Sequence, residues 1–492
     1  MLFNSAEFLF VFLPVTLAGF YILRRLRNVN FYASWLFAAS MVFYGYWYPQ
    51  YLPLIMGSIT FNYGIGLAVG RATRWRRPLA VFGIAANLFG LGYFKYTNFL
   101  VDNLNAVLGS GLSVEALALP LGISFFTFQK IAYLIDVYTG RPAERNYLAY
   151  GTFVMFFPQL IAGPIVHHSE ILPQLRRIGG PQPVLTNLAV GLTVLTFGLF
   201  KKAVIADGMA VYANAIFTAA NAGQALSLAE AWLGALAYTL QLYFDFSGYS
   251  DMAIGLGLMF GIRLPVNFWS PYKATSIIDF WRRWHITLSR FLRDYLYIPL
   301  GGNRKGPARR HVNLFLTMLL GGIWHGAGWT FVIWGALHGA SLTVNHLWRV
   351  VRPTAGRSGA TARGASWLLT FTVVVIGWVF FRAESVPVAL GVLRGMAGLN
   401  ALLPAKAATL AMLAQGFAAA GLLLTLCLIA PNTLQLMRSA RPALNIPAEE
   451  GGGPPAWLAW RPSLRWSVAM TGLALAALLN LTQISEFLYF DF

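Results

Sequence analysis

Long apolar runs recur along this chain, at 8–23, 31–48, 51–70, 79–97, 117–138, 148–166, 187–207, 228–247, 249–262, 312–348, 366–382, 408–430 and 466–484. Several approach the ~20 residues that an α-helix needs to cross a bilayer. The pattern predicts an all-α, polytopic integral membrane protein of roughly 11 spanning helices, with re-entrant and interfacial helices besides. Some runs do not read as simple spans. The run 148–166 is broken by Pro158, Gly163 and Pro164. Broken backbone at membrane depth survives only where protein or a water-filled cavity covers it, so this run reads as re-entrant. The run 249–262 is too short to span alone. The stretch 312–348 reads as a hairpin, bending near Gly326–Gly328.

Basic residues orient these runs. Arg24, Arg25 and Arg27 follow the first run, Arg71, Arg74, Arg76 and Arg77 the third, and Arg141 and Arg145 the fifth. The loops 49–50, 98–116 and 208–227 carry no Lys or Arg. By the positive-inside rule the N-terminus lies outside and the arginine-rich loops lie in the cytoplasm. The most basic segment, 263–311, is then cytoplasmic, and the tail 485–492 falls on the far, periplasmic side. The hairpin 312–348 enters from the cytoplasm and places His325 at its bend.

Residues 277–295 read as an amphipathic helix lying in the interface. Trp281, Trp284, Leu288, Phe291, Leu292 and Tyr295 recur at three-and-four spacing and form one apolar stripe, and His285 points with it. Arg283, Thr287, Arg290 and Asp294 form the polar stripe.

Composition agrees with a membrane protein: 57% of the 492 residues are hydrophobic and 11% charged, against roughly 25% charged in soluble domains. The formal charge of +19 then points to cytoplasmic loops and lipid headgroups, with no nucleic acid as partner. The single cysteine, Cys427, excludes an internal disulfide and cysteine-based metal or haem motifs. The run 8–23 has no Lys or Arg before it, unlike a cleaved leader.

Candidate chemistry centres on two histidines. An ionisable group at membrane depth is costly and is by default a functional candidate. His325 sits among Gly321, Gly322, Gly326 and Gly328, flanked by Trp324 and Trp329. Those glycines let either a substrate or another backbone approach closely. His285 reads equally as a packed, hydrogen-bonded imidazole. His338 and His346 read as polar residues satisfied by a neighbouring helix, and His167 and His168 as surface or loop residues. The spacings of His325, His338 and His346 match no ligand pattern, so no metal is expected. Asp245 and Asp251 lie beside Tyr243 and Tyr249 in apolar context, placed to pair with arginines of 282–293 or to line a polar cavity.

Three stretches, 244–261, 267–302 and 320–339, resemble the membrane-bound O-acyltransferase family, and within it the bacterial alginate O-acetylation branch. WRRWHITLSRFLRDYLY around His285 and GGIWHG around His325 carry the likeness, which extends over nearly the whole chain. The resemblance implies one membrane-embedded domain spanning 1–492, with a many-helix fold, a catalytic core near 120–350 and a funnel from the cytoplasm. It implies His325 as the catalytic histidine and His285 as the second active-site histidine. Acetyl transfer from a thioester to a hydroxyl needs a base, worth ~10²–10⁴-fold, and a stabilised oxyanion. A neutral His325 suits the first role, and His285 or backbone N–H groups near Gly326 the second. Lys273, Arg282, Arg283 and Arg290 are placed to attract the phosphates of acetyl-CoA, the expected donor, with no permanently bound cofactor.

The chain ends in aromatic residues around Tyr489, an ending similar to that of related bacterial members and their small partner peptides. Tyr489 is therefore either an acyl relay or an interfacial anchor. The expected setting is a bacterial inner membrane, with a periplasmic esterase-like acetyltransferase and polysaccharide export machinery as partners. Alginate is the first acceptor to consider, and cellulose and peptidoglycan are alternatives. A non-enzymatic transporter or scaffold is the competing class.

Overall fold

The computed structural model describes residues 1–114, 119–181, 183–352, 359–404, 407–448, 454–481 and 487–488. Among them there is no β-strand, only an isolated bridge between Pro265 and Leu444. The first half comprises α1 (Leu13–Arg24), α2 (Val29–Gly45), α3 (Leu52–Arg71), α4 (Arg76–Leu108), α5 (Ile123–Tyr138), α6 (Tyr147–Met155), α7 (Phe157–Leu160), α8 (His168–Arg177), α9 (Val184–Phe200) and α10 (Asp207–Asn221). Then come α11 (Leu228–Met259), α12 (Ile277–Arg283), α13 (Ile286–Leu292), α14 (Gly306–His325) and α15 (Trp329–Val351). The chain closes with α16 (Ala360–Arg382), α17 (Val386–Met396), α18 (Ala407–Ile429), α19 (Thr433–Leu436) and α20 (Leu464–Leu479).

By length and composition, five helices among the described residues suffice to cross a membrane alone: Pro49–Arg71, Arg76–Leu108, Val184–Asn221, Ala360–Arg382 and Thr409–Ile429. Outside that set stand two long helices, α11 and α15, and shorter ones such as α2, α5, α6 and α7. The chain is a multi-pass membrane protein.

The central element is α11. The apolar pattern divides it into runs 228–247 and 249–262, but it is one helix of 32 residues, about 48 Å long. Ser227 caps it, its hydroxyl accepting from Glu230 N–H while the Glu230 carboxylate accepts from Ser227 N–H. Tyr249–Phe260 of this stretch pack into the apolar cluster of the N-terminal half, and Ala231–Phe246 into that of the C-terminal half. Helix α9 lies against α11 backbone to backbone. A Cβ on Gly198 would sit 2.5 Å from Gly248 O, and one on Gly255 2.5 Å from Gly191 O. Glycine at these positions is what lets the two helices touch.

Two loops expected as connections without Lys or Arg, 98–116 and 208–227, are partly helical. Helix α4 runs on to Leu108, and the α9–α10 rod continues through a π-turn at Lys201–Ala206 to Asn221. The break in 148–166 falls between α6 and α7, and every residue there is buried, so protein covers the interrupted backbone.

Several arginines of the expected cytoplasmic loops hold neighbouring elements together. Arg24 donates to Ile178 O (2.7 Å) and Gly180 O (2.8 Å), and Arg76 to Val137 O (2.8 Å). Arg141 pairs with Asp136 (3.6 Å), Arg176 with Glu144, and Arg290 with Glu170 through two hydrogen bonds (2.6 and 2.9 Å). The two bonds of Arg24 tie the end of α1 to the residues that follow α8.

Three expectations from the sequence are corrected by the fold. The 277–295 segment is not one interfacial helix: it breaks at Trp284–His285, and Trp281, Trp284, His285 and Leu288 are all buried. His285 takes a left-handed conformation (φ 42°), which ends α12 and starts α13. His168 is not a surface residue but is buried 3.3 Å from the Asp136 carboxylate, and His167 Nδ1 lies 2.9 Å from the Tyr295 hydroxyl. Asp245 and Asp251 pair with lysines rather than arginines. Lys202 bridges Asp245 (2.8 Å) and Asp207 (2.9 Å), while Lys201 meets Asp251 (2.6 Å). The π-turn carries both lysines against α11, so the carboxylates are matched inside the protein.

Candidate active site

Helix α14 starts among Arg304, Lys305, Arg309 and Arg310 and ends at His325. Fifteen residues separate Arg310 from His325, so the imidazole lies about 22 Å along the helix from the basic end. The chain turns at 326–328 and α15 returns beside α14, as the hairpin reading expects.

The glycines of this hairpin bring backbones together. A Cβ on Gly322 would lie 2.4 Å from Phe331 O, and one on Gly335 2.6 Å from Met318 O. Gly326 lies under the Phe331 ring, where a Cβ would sit 2.1 Å from it. Close helix packing is realised at Gly322. His325 is thereby fixed at the mouth of a tight hairpin, its ring near those of Trp334 (5.0 Å) and Phe381 (5.3 Å).

His285 reaches the same region from the α12–α13 break. Trp334, which the His325 ring touches, lies 5.8 Å from Trp281 of α12 and 4.8 Å from His338. The Phe246 ring meets the His285 imidazole edge-on at 4.8 Å. His285 Nδ1 is 3.0 Å from Asn267 Oδ1. That oxygen also accepts from Thr287 N–H (3.3 Å) and from the Thr287 hydroxyl (2.8 Å), while Asn267 Nδ2 donates to Ser250 Oγ (3.1 Å). A backbone N–H can only donate, so the amide oxygen must face Thr287 and His285. Nδ1 of His285 therefore carries the hydrogen and Nε2 carries the lone pair. Asn267 fixes this tautomer, and no motif or spacing in the sequence singles it out.

His338 and His346 take the structural roles expected of them. Trp281 Nε1–H donates to His338 Nδ1 (3.3 Å), and Arg310 lies 2.6 Å from His346 Nδ1. Of the four residues expected at the donor phosphates, three have protein contacts. Arg290 binds Glu170, Arg283 binds Asp279 (2.8 Å), and Lys273 donates to Ala430 O (2.8 Å) at the end of α18. Arg282 is exposed.

Tyr489 lies outside the described residues. Its neighbours Phe487 and Leu488 are placed: Leu488 N–H donates to Asp245 Oδ2 (3.3 Å), and Phe487 is buried against Tyr249 (4.3 Å) with Lys202 Nζ 5.1 Å from its ring. Phe487 and Leu488 thus dock halfway along α11.

Comparison with known proteins finds a family and several relatives. The family model described as MBOAT, membrane-bound O-acyltransferase family, matches residues 137–382. The chain is 47% identical over 428 residues to the peptidoglycan O-acetyltransferase of Helicobacter pylori, covering 81% of this chain and 80% of the relative. It is 47% identical over 400 residues to the probable alginate O-acetylase AlgI of Pseudomonas aeruginosa, covering 79% and 73%. It is also similar to the teichoic acid D-alanyltransferase of Bacillus subtilis, with 28% identity over 233 residues, covering 45% and 58%.

Proposed function

This chain belongs to the membrane-bound O-acyltransferase family, and from that membership we propose that it carries an acetyl group from cytoplasmic acetyl-CoA toward an exported polysaccharide, with His325 as the base. The setting is a bacterial inner membrane, with a periplasmic esterase-like transferase and export machinery downstream. The observation that carries this reading is that two buried imidazoles, His325 and His285, stand at the end of α14 and at the α12–α13 break, His325 about 22 Å along α14 from its basic start.

The donor's phosphates stay at the basic end, where Arg282, Arg304, Lys305 and Arg309 are exposed, while the thioester arm reaches inward. A hydroxyl then attacks the thioester carbonyl as an imidazole nitrogen of His325 takes its proton. The tetrahedral oxyanion collapses, the carbon–sulfur bond breaks, and the leaving thiolate receives that proton. With its Nδ1–H given to Asn267, His285 has no N–H to offer the tetrahedral oxyanion, so that role falls to backbone N–H groups near Gly326.

The first hydroxyl in this scheme is that of Tyr489, which becomes an acetyl ester and passes the group onward outside. Docking of Phe487 and Leu488 on α11 supports a tail that reaches toward the interior. Alginate is favoured as final acceptor by several relatives named alginate O-acetylases, and peptidoglycan by a relative of equal identity and slightly greater coverage.

One experiment addresses donor, base and relay together. Purified protein incubated with acetyl-labelled CoA should carry label on the peptide containing Tyr489, and His325→Ala should lose it while remaining folded. A His325→Ala protein that still consumes acetyl-CoA at the normal rate refutes the base. An unlabelled tail in an active wild-type protein refutes the relay alone.

A further inference from the structure

The last turn of α14 is held from outside by a lysine that the mechanism has not used. Helix ends leave their last four carbonyls without intrahelical donors, which here are those of residues 322–325. Lys95 Nζ donates to Trp324 O (2.6 Å) and His325 O (2.8 Å) and lies 3.5 Å from Ser124 Oγ, while the Tyr96 hydroxyl donates to Ile323 O (2.7 Å). Three of the four carbonyls are therefore taken by two adjacent residues of α4. The indole of Trp324 is gripped too: it stacks on Phe128 of α5 (4.7 Å), and Lys95 Nζ is 5.9 Å from its centre.

We propose that Lys95, assisted by Tyr96, is a positioning residue for catalysis: it clamps the final turn of α14 and so fixes where the His325 imidazole points. The inference rests on the reading of His325 as the base. An ammonium has three hydrogens, and here three acceptors surround it, so Lys95 is not free to bind donor phosphate or substrate. Its positive charge also faces the negative end of the α14 dipole, where a cation is favoured. A lysine placed in an apolar run is costly, and anchoring the residue that does the chemistry accounts for its presence. Polar neighbours without charge would cap the carbonyls less strongly, since charge-assisted hydrogen bonds are roughly twice as strong as neutral ones.

The test compares Lys95→Met, Lys95→Arg, Tyr96→Phe and His325→Ala in purified full-length protein turning over acetyl-CoA. Lys95→Met should lower kcat by roughly 10²-fold, the loss expected from about 1 Å of misplacement, with KM unchanged. Lys95→Arg should recover most of that loss, because a guanidinium can also donate to two carbonyls. Tyr96→Phe, which removes one hydroxyl, should fold and show a smaller fall in kcat. The proposal is overturned if Lys95→Met keeps wild-type kcat. It is equally overturned if activity falls only in proportion to folded protein and arginine recovers nothing. An inactive His325→Ala beside a fully active Lys95→Met would sink the clamp and leave the base intact, whereas an active His325→Ala would sink the base itself.

Discussion

Gly322→Ala should nearly abolish activity in a protein that still folds, because of where a single methyl group would go. The added Cβ would lie 2.4 Å from the Phe331 carbonyl oxygen and 2.9 Å from Gly335 Cα. Ordinary Cβ contacts begin at 3.4 Å, so α14 and α15 must separate by about 1 Å, the difference between 3.4 and 2.4. Both neighbours are backbone, so no side chain can swing aside. Overpacking of this kind costs about 1–3 kcal/mol of stability. His325 ends α14 three residues later, so its imidazole moves with the helix. A 1 Å misplacement costs about 10²-fold in rate, or roughly 2.7 kcal/mol of transition-state stabilisation. The control is Gly328→Ala. Gly328 has extended backbone (φ −165°) that any residue adopts, and its nearest Cβ neighbour would be 3.6 Å away, an ordinary contact. Acetyl transfer, normalised to the folded protein recovered by size-exclusion chromatography, should therefore fall about 10²-fold in Gly322→Ala and stay near wild type in Gly328→Ala. The opposite ranking would refute the packing argument and show that the glycines clear space for substrate.

Two further outcomes are expected. Asn267→Ala leaves the buried Nδ1–H of His285 and the N–H of Thr287 without their shared acceptor, at about 1–3 kcal/mol each; the melting temperature and kcat should both drop, and recovery of kcat by Asn267→Asp, which keeps the acceptor oxygen, checks that the tautomer is what matters. After replacement of Cys427, cysteines at the exposed positions Lys305 and Gln224 should react oppositely with an impermeant thiol reagent applied to intact cells, and labelling of both from outside would refute the cytoplasmic placement of the basic end.

The sequence reveals the hairpin around His325 and the break in 148–166, because glycine and proline mark them and no tertiary contact is needed to see them. It misleads at 277–295. The three-and-four apolar spacing continues straight through Trp284–His285, so periodicity reads one helix where the backbone makes a left-handed turn. What places His285 is Asn267, eighteen residues upstream, whose amide collects the backbone and side chain of Thr287 along with the imidazole. Such a long-range bond has no periodic signature. Lys95 is a different case. It stands alone in the apolar run 79–97, where an amine is costly, so its oddity is legible in the sequence while its partners, some 230 residues away, are not. The same cost argument applies to Lys201 and Lys202, which the structure pairs with Asp251, Asp245 and Asp207.

Lys201, Lys202 and Lys95 thus differ in the partners they find. Lys201 and Lys202 meet carboxylates, so their charges are matched locally and the α9–α10 rod is tied to α11. Replacing one partner there would strand a charge and destabilise the fold by about 3–5 kcal/mol. Among the described residues Lys95 has no carboxylate as a hydrogen-bond partner; its acceptors are the carbonyls at the end of one helix and a serine hydroxyl. Its stabilising effect is spent on the position of a single turn, and that turn ends in His325. Ionisable residues in the apolar runs should be ranked by this criterion: those answered by a carboxylate hold helices together, and those answered by a helix end hold a residue in place.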